Sequence, residues 1–149
     1  ILDSYQIASK ITGEFADLGS GAGFPGLVCS ITTHYKSYLI EADTKKASFL
    51  RNVSRETLAP CEIIEERIES IQNSFQEFTS RALTSIFHIL NITQHLRIFS
   101  SKYILLKSHH VDREIEEAQR KWDFEIKKTP SITQPQSYII EISHIREKQ

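Results

Sequence analysis

Asp17, Gly19, Gly21 and Gly23 alternate through the run Asp17-Leu18-Gly19-Ser20-Gly21-Ala22-Gly23-Phe24-Pro25-Gly26, and a second carboxylate, Glu41, follows Gly21 by 20 positions. Four of the chain's five glycines fall within this run. Glycine lets the backbone take positive φ and approach a ligand closely, and the first turn of a following helix offers unpaired N–H groups. The spacing narrows the ligand. A dinucleotide fingerprint, G-x-G-x-x-G, needs a third glycine where Phe24 stands, and no G-K-[ST] follows, so a P-loop is excluded. A carboxylate at the tip of the first strand repels a pyrophosphate and suits a cationic amine. S-adenosylmethionine has an ammonium group and no phosphate, and it fits this pattern better than NAD, FAD or ATP. Asp17 then faces the ammonium. Glu41 is the candidate for the ribose, since a carboxylate accepts hydrogen bonds from both hydroxyls. Asp43 is a second candidate that is equally placed to cap the following helix.

These residues must be delivered to one edge of a sheet. Residues 14–19 read as a first strand ending at the glycines, and Leu27-Val28-Cys29-Ser30-Ile31 as the start of a buried helix. Ser37-Tyr38-Leu39-Ile40 reads as a second strand that brings Glu41 and Asp43 to its carboxyl end, where ligands of open α/β sheets sit. Thr44, like Asp43, can cap the next helix, whose Ala47, Leu50 and Val53 recur at helical spacing while Lys45, Lys46, Arg51 and Arg55 decorate its start and outer face. Strands are expected at 61–64, at 79–83 (polar for a central strand) and at 103–107. A buried helix is expected from Ile86 to Leu96, and a second helical stripe from Val111, Ile115, Ala118 and Trp122. Strands at 124–127 and 138–142, joined without a helix, imply an antiparallel hairpin. The alternation describes an α/β fold with a mostly parallel seven-stranded sheet.

The glycine run with its Phe-Pro-Gly tail resembles the cofactor motif of the bacterial ribosomal RNA small subunit methyltransferase G family, also called glucose-inhibited division protein B. Further matching stretches run in order: Ile1-Leu2-Asp3-Ser4, Lys45 to Leu50, Arg67-Ile68-Glu69, Ser80-Arg81-Ala82 and Leu105-Leu106-Lys107. The resemblance implies a Rossmann-like class I methyltransferase that uses S-adenosylmethionine to methylate N(7) of a guanine in 16S ribosomal RNA, as free RNA or within a small ribosomal subunit particle. It implies cofactor contacts from Asp17, Gly19, Gly21, Gly23, Phe24, Glu41, Asp43 and Arg81, and it sets Ile68 and Glu69 beside the adenine. Arg81 would bind the methionine carboxylate or an RNA phosphate; the bland alternative is an ion pair with Glu77. Lys107 would touch a phosphate or base. Arg81 and Lys107 are thus the candidates for substrate positioning, and no residue is a certain catalytic group. Where family members commonly carry glycine after that lysine, this chain has Ser108, followed by His109 and His110.

Composition bounds the rest. A chain of 149 residues with 40% hydrophobic content builds one domain over residues 1–149. It contains no methionine, so the family's helical N-terminal segment is expected to be missing ahead of residue 1. A net charge of −1 and a pI near 6.7 exclude a globally basic nucleic-acid binder, so an RNA substrate requires a local patch from Lys45, Lys46, Arg81 and Lys107. Cys29 and Cys61 form no C-x-x-C and read as buried hydrophobes in a reducing compartment. The adjacent histidines have no further spaced ligand, so no metal is expected. No apolar run approaches the ~18 residues of a membrane span. A monomer in the cytoplasm follows as the expectation. Two rival functions remain: an enzyme of the same fold with a non-RNA substrate, and a catalytically degraded methyltransferase-like module that binds RNA without turnover.

Overall fold

The computed structural model describes residues 2–81 and 84–149. Its elements in chain order are α1 (Leu2–Ala8), β1 (Phe15–Leu18), α2 (Gly26–Thr33), β2 (Ser37–Ile40), α3 (Thr44–Thr57), β3 (Cys61–Ile64), β4 (Phe75–Arg81), α4 (Ile86–Ile92), β5 (Arg97–Lys107), α5 (Val111–Gln119), β6 (Trp122–Pro130) and β7 (Tyr138–Glu147). Short 3₁₀ turns occupy Ile68–Ser70 and Gln94–Leu96. The strands form one seven-stranded sheet in the order β3-β2-β1-β4-β5-β7-β6. All pairs from β3 to β5 are parallel, and β7 runs antiparallel to both β5 and β6. The expected terminal hairpin is therefore present, with β7 inserted between β5 and the edge strand β6.

The order reverses at β1, whose neighbours are β2 on one side and β4 on the other. A crevice opens at such a switch point beyond the carboxyl ends of the strands. Both faces of β1 are covered, and all four of its residues are buried. Ala16 and Leu18 join a cluster with Ile40, Phe78, Ile89, Tyr103 and Trp122. Phe15 joins Ile7, Ala8, Cys29, Ile104 and Ile139 on the opposite face. Strict alternation thus puts Asp17 on the Phe15 face, under the α1 and α2 layer.

Several boundaries differ from the expected ones. The fourth strand starts at Phe75, four residues before Thr79, and ends at Arg81 among described residues; Ala82 and Leu83, expected in it, lie outside the described residues, as does Ile1. Polar Glu77 and Thr79 disguised a strand that is buried at five of its seven positions. Trp122 does not continue the stripe of α5. It opens β6 and is buried, with its indole Nε1 donating to Asn91 Oδ1 at 3.2 Å. Leu96 lies in a 3₁₀ turn beyond α4. The cap of α3 is Asp43 rather than Thr44: Asp43 accepts from Lys46 N at 2.9 Å, and the Thr44 hydroxyl donates to Glu65 Oε2 instead. Helix α1 carried no clear period in so short a segment. Asp3 accepts from the Ser131 hydroxyl at 2.7 Å and from the Thr133 hydroxyl, and Gln6 donates to Pro130 O at 2.9 Å, so α1 is latched to the loop between β6 and β7.

Candidate functional site

The loop from Gly19 to Pro25 leaves β1 and turns over the carboxyl edge of the sheet before α2 begins. Gly19, Gly21 and Gly23 have φ of 66°, 51° and 95°, a region L side chains rarely occupy. A Cβ on Gly21 would first meet Gly19 O at 3.8 Å and Glu41 Oε1 at 4.0 Å, so its outer side is open. Gly26 differs: a Cβ there would stand 2.6 Å from Asp17 Cγ. The Phe-Pro-Gly tail therefore ends in glycine because α2 starts in contact with the Asp17 side chain.

Asp17 is fully buried. Its Oδ1 accepts from the Thr79 hydroxyl at 2.6 Å, its Oδ2 from the Ser20 hydroxyl at 2.8 Å, and the carboxylate also accepts from the Gly26 N–H. Burial pushes its pKa up to about 6, against the pull of those three bonds, with the charge of Glu41 adding to the rise. The expectation that Asp17 faces an ammonium group is corrected. Its side chain points inward and ties β1, β4, the loop and α2 together, because the Phe15 face of β1 is packed beneath α2.

Glu41 emerges at the end of β2 at 9% exposure. Its Oε1 accepts from Gly21 N at 2.7 Å and its Oε2 from Asp43 N at 3.0 Å. One carboxylate thus fixes the loop and the start of the next helix while staying at the crevice. Asp43 uses its carboxylate to cap α3. Ile68 and Glu69 sit in the 3₁₀ turn after β3; Ile68 is half-buried against the main core, and Glu69 is exposed.

Arg81 and Lys107 end neighbouring parallel strands but differ in environment. Arg81 is exposed and lines a cleft of about 390 Å³ with Asp3, Pro25, Leu106, Thr133 and Gln134. Its bland partner is otherwise engaged: Glu77 accepts from Thr12 N at 3.0 Å and lies 4.0 Å from Lys102. Lys107 is only 5% exposed, pairs with Glu114 of α5 at 2.9 Å, and donates to Thr84 O. Glu114 also accepts from Ile86 N at 3.0 Å. The expected phosphate or base contact of Lys107 is therefore corrected: the first turn of α5 folds back over the end of β5 and covers the ammonium. Ser108 adopts no positive φ, so that position demands no glycine. Lys45 and Lys46 are exposed on the first turn of α3, next to Asp43.

Cys29 is buried, with its thiol pushed up by desolvation, whereas Cys61 is only half-buried, with its Sγ 3.1 Å from Ser54 Oγ. His109 and His110 are exposed, and among the described residues no group of three His, Cys, Asp or Glu side chains could hold a metal ion. Among the described residues, too, no helix is long and apolar enough to cross a membrane. Sequence reasoning missed Ser20, Thr79, Glu114 and Asp3. The polarity of Thr79 in a central strand was the available signal, since a buried hydroxyl implies a buried acceptor.

Comparison with solved structures gives the same architecture. A glycopeptide N-methyltransferase, MtfA, complexed with S-adenosyl-L-methionine, superposes with a TM-score of 0.77 at 11% identity, over 95% of this chain and 92% of that one. A SAM-dependent methyltransferase from Aquifex aeolicus superposes with a TM-score of 0.70 at 11% identity, over 96% and 89%. At that identity the likeness establishes the class I methyltransferase fold. Sequence carries the family. The ribosomal RNA small subunit methyltransferase G of Rickettsia prowazekii is 38% identical over 148 residues, covering 97% of this chain and 77% of that protein. That of Orientia tsutsugamushi is 37% identical over 145 residues, covering 95% and 73%. The family model described as rRNA small subunit methyltransferase G matches residues 1–140, and the chain belongs to that family.

Proposed function

We propose that residues 1–149 act as a methyltransferase domain that transfers the methyl group of S-adenosylmethionine to N(7) of a guanine in 16S ribosomal RNA. The observation that carries this reading is the family match across residues 1–140, which spans every element of the crevice. The residues at the crevice fit the cofactor. The loop around Gly21 is open on its outer side, and the adjoining carboxylate of Glu41 suits hydroxyl donors and disfavours phosphate.

When bound, S-adenosylmethionine supplies an electrophilic methyl group on a sulfonium sulfur. The backbone of Gly19 to Phe24 cradles it, Glu41 accepts from its ribose hydroxyls, and Ile68 and Glu69 border its adenine. Asp43 and Asp17 act through the backbone, by capping α3 and by shaping the loop. Arg81 stands at the end of β4, where donor and acceptor meet. Guanine N(7) carries no proton and its lone pair lies in the ring plane, so no side chain has to act as a base. The chain's contribution is alignment and exclusion of water. RNA phosphates are met by a local patch that includes Lys45 and Lys46, because a net charge of −1 offers no global attraction.

The test is incubation of the protein with methyl-labelled S-adenosylmethionine and either naked 16S RNA or small-subunit particles from cells lacking this gene. The expected product is 7-methylguanine at one position, located by mass spectrometry of nuclease fragments. Label in protein or in free metabolites, with none in RNA, overturns the reading.

A further inference from the structure

The cleft between α1, the end of β4 and the β6–β7 loop lies at the carboxyl edge of the sheet and shares Pro25 with the glycine loop. Its volume of about 390 Å³ falls in the range of small-molecule pockets, ~300–1,000 Å³. Its chemistry is two-sided. Pro25 and Leu106 present apolar surface suited to the faces of a flat ring. Asp3 and Arg81 present a carboxylate and a guanidinium to its edges.

We propose that this cleft receives the acceptor guanine extruded from the RNA, and that Asp3 is the residue that identifies it as guanine. This rests on the methyltransferase reading above. Enzymes that act on a nucleobase take it out of the stack and read its Watson–Crick edge in a pocket. On that edge guanine offers two donors, N1–H and the N2 amine. Adenine offers an acceptor at N1 beside a single donor, its N6 amine. An ionised carboxylate only accepts, so it can take both guanine donors at once but meets a lone pair at adenine N1. Arg81 supplies donors that match guanine O6, which leaves N(7) free for the methyl group.

Asp3 is held for this task. Its Oδ1 accepts from Ser131 Oγ at 2.7 Å and from the Thr133 hydroxyl. Both bonds land on one oxygen, and among the described residues Oδ2 accepts none. Partial desolvation works to raise its pKa, but the bonds from Thr133 and Ser131 and the charge of Arg81 outweigh it and hold the carboxyl below the ordinary value. Asp3 is therefore ionised at neutral pH.

Asp3→Asn separates recognition from the latch between α1 and the hairpin loop. The amide oxygen of asparagine still accepts from Ser131 and Thr133, while its other atom becomes a donor that faces the donors of guanine. The experiment compares methyl transfer to a 16S segment carrying guanine at the modified position with transfer to the same segment carrying inosine, which lacks the N2 amine. The wild-type protein should prefer guanine by about 10-fold in kcat/KM. Asp3→Asn should bring that ratio close to one while binding S-adenosylhomocysteine as the wild type does. Ser131→Ala, which loosens the latch and leaves Oδ2 untouched, should keep the wild-type ratio. Equal turnover of guanine and inosine by the wild-type protein overturns the proposal, whether or not the variants fold. So does an Asp3→Asn protein that is slower on both segments with its ratio intact, because Asp3 is then a latch alone. Failure of the wild-type protein to methylate any RNA is a different outcome and removes the methyltransferase reading itself.

Discussion

Gly26→Ala should cripple the fold, whereas Gly21→Ala should spare the fold and lose the cofactor. A Cβ on Gly26 would stand 2.6 Å from Asp17 Cγ and 2.7 Å from Asp17 Cβ, and nearer still to Oδ2. Asp17 is fully buried and bonded to Thr79 and Ser20, so it cannot swing aside without breaking those bonds. Overpacking a site of this kind costs ~1–3 kcal/mol, and a buried polar group stripped of its partner costs ~1–3 kcal/mol more. The sum is ~2–6 kcal/mol, or a fall in Tm of roughly 6–18 °C for a chain of this size. At Gly21 the Cβ meets nothing nearer than 3.8 Å, and the cost is its φ of 51°, about 1–2 kcal/mol for an L side chain in the left-handed region. Its Tm should fall by only about 3–6 °C. The new methyl group lies on the open side of the loop, so affinity for S-adenosylhomocysteine should fall by at least about tenfold, or ~1.4 kcal/mol. Thermal unfolding gives the first quantity and calorimetric titration the second. Gly26→Ala melting within about 3 °C of the wild type would refute the steric argument. Equal losses of Tm in the two variants would refute the division of labour between the glycines.

Asp17 has a folded pKa of about 6 against an ordinary value of 3.8, so protonation favours the folded state. That stabilisation is fully present below the ordinary value and is lost as pH rises through about 6. Wild-type stability relative to Asp17→Asn should therefore fall by on the order of 3 kcal/mol between pH 4 and pH 7, measured by urea unfolding; a difference independent of pH would sink the burial argument. Lys107→Met should lower Tm by about 5–10 °C, since it strands Glu114 and the Thr84 carbonyl beside a largely buried position. It should leave the salt dependence of RNA binding unchanged, whereas neutralising Lys45 and Lys46 should flatten that log–log slope by ~0.7–0.9 for each phosphate they had neutralised.

Much of the fold was legible because the parallel strands β2 and β3 are short apolar runs bounded by turn residues, and the structure places them at the expected positions. The glycine loop was legible because positive φ leaves few residue choices. The failures lie where tertiary contacts override local pattern. Trp122 continues a helical period in sequence but is more stabilised as the buried first residue of β6, under Asn91 and the guanidinium of Arg97. The fourth strand hid because two of its inward positions are polar, and both polar side chains are satisfied by partners distant in sequence: Thr79 by Asp17 and Glu77 by Thr12. Those pairings cannot be read from spacing. They become visible only once β1 and β4 are known to be neighbours, and the polarity that weakened the strand assignment then marks the residue that holds the first carboxylate.

Arg81 and Lys107 show the same limit at the site itself. Each is a cation closing a parallel strand of the sheet, and sequence alone gives them equivalent roles. The connections separate them. After β5 the chain turns within three residues into α5, whose Glu114 reaches back to the Lys107 ammonium and to the N–H of Ile86. A cation buried against a carboxylate and a carbonyl is already compensated and has little to offer a phosphate. Above Arg81 stands α1, latched sideways onto the hairpin loop, and the space between them stays open as the cleft. The covering of one strand end and the opening of the other therefore decide which cation can reach a substrate. They also make α1, a helix the sequence pattern did not announce, the wall on which guanine recognition is proposed to rest.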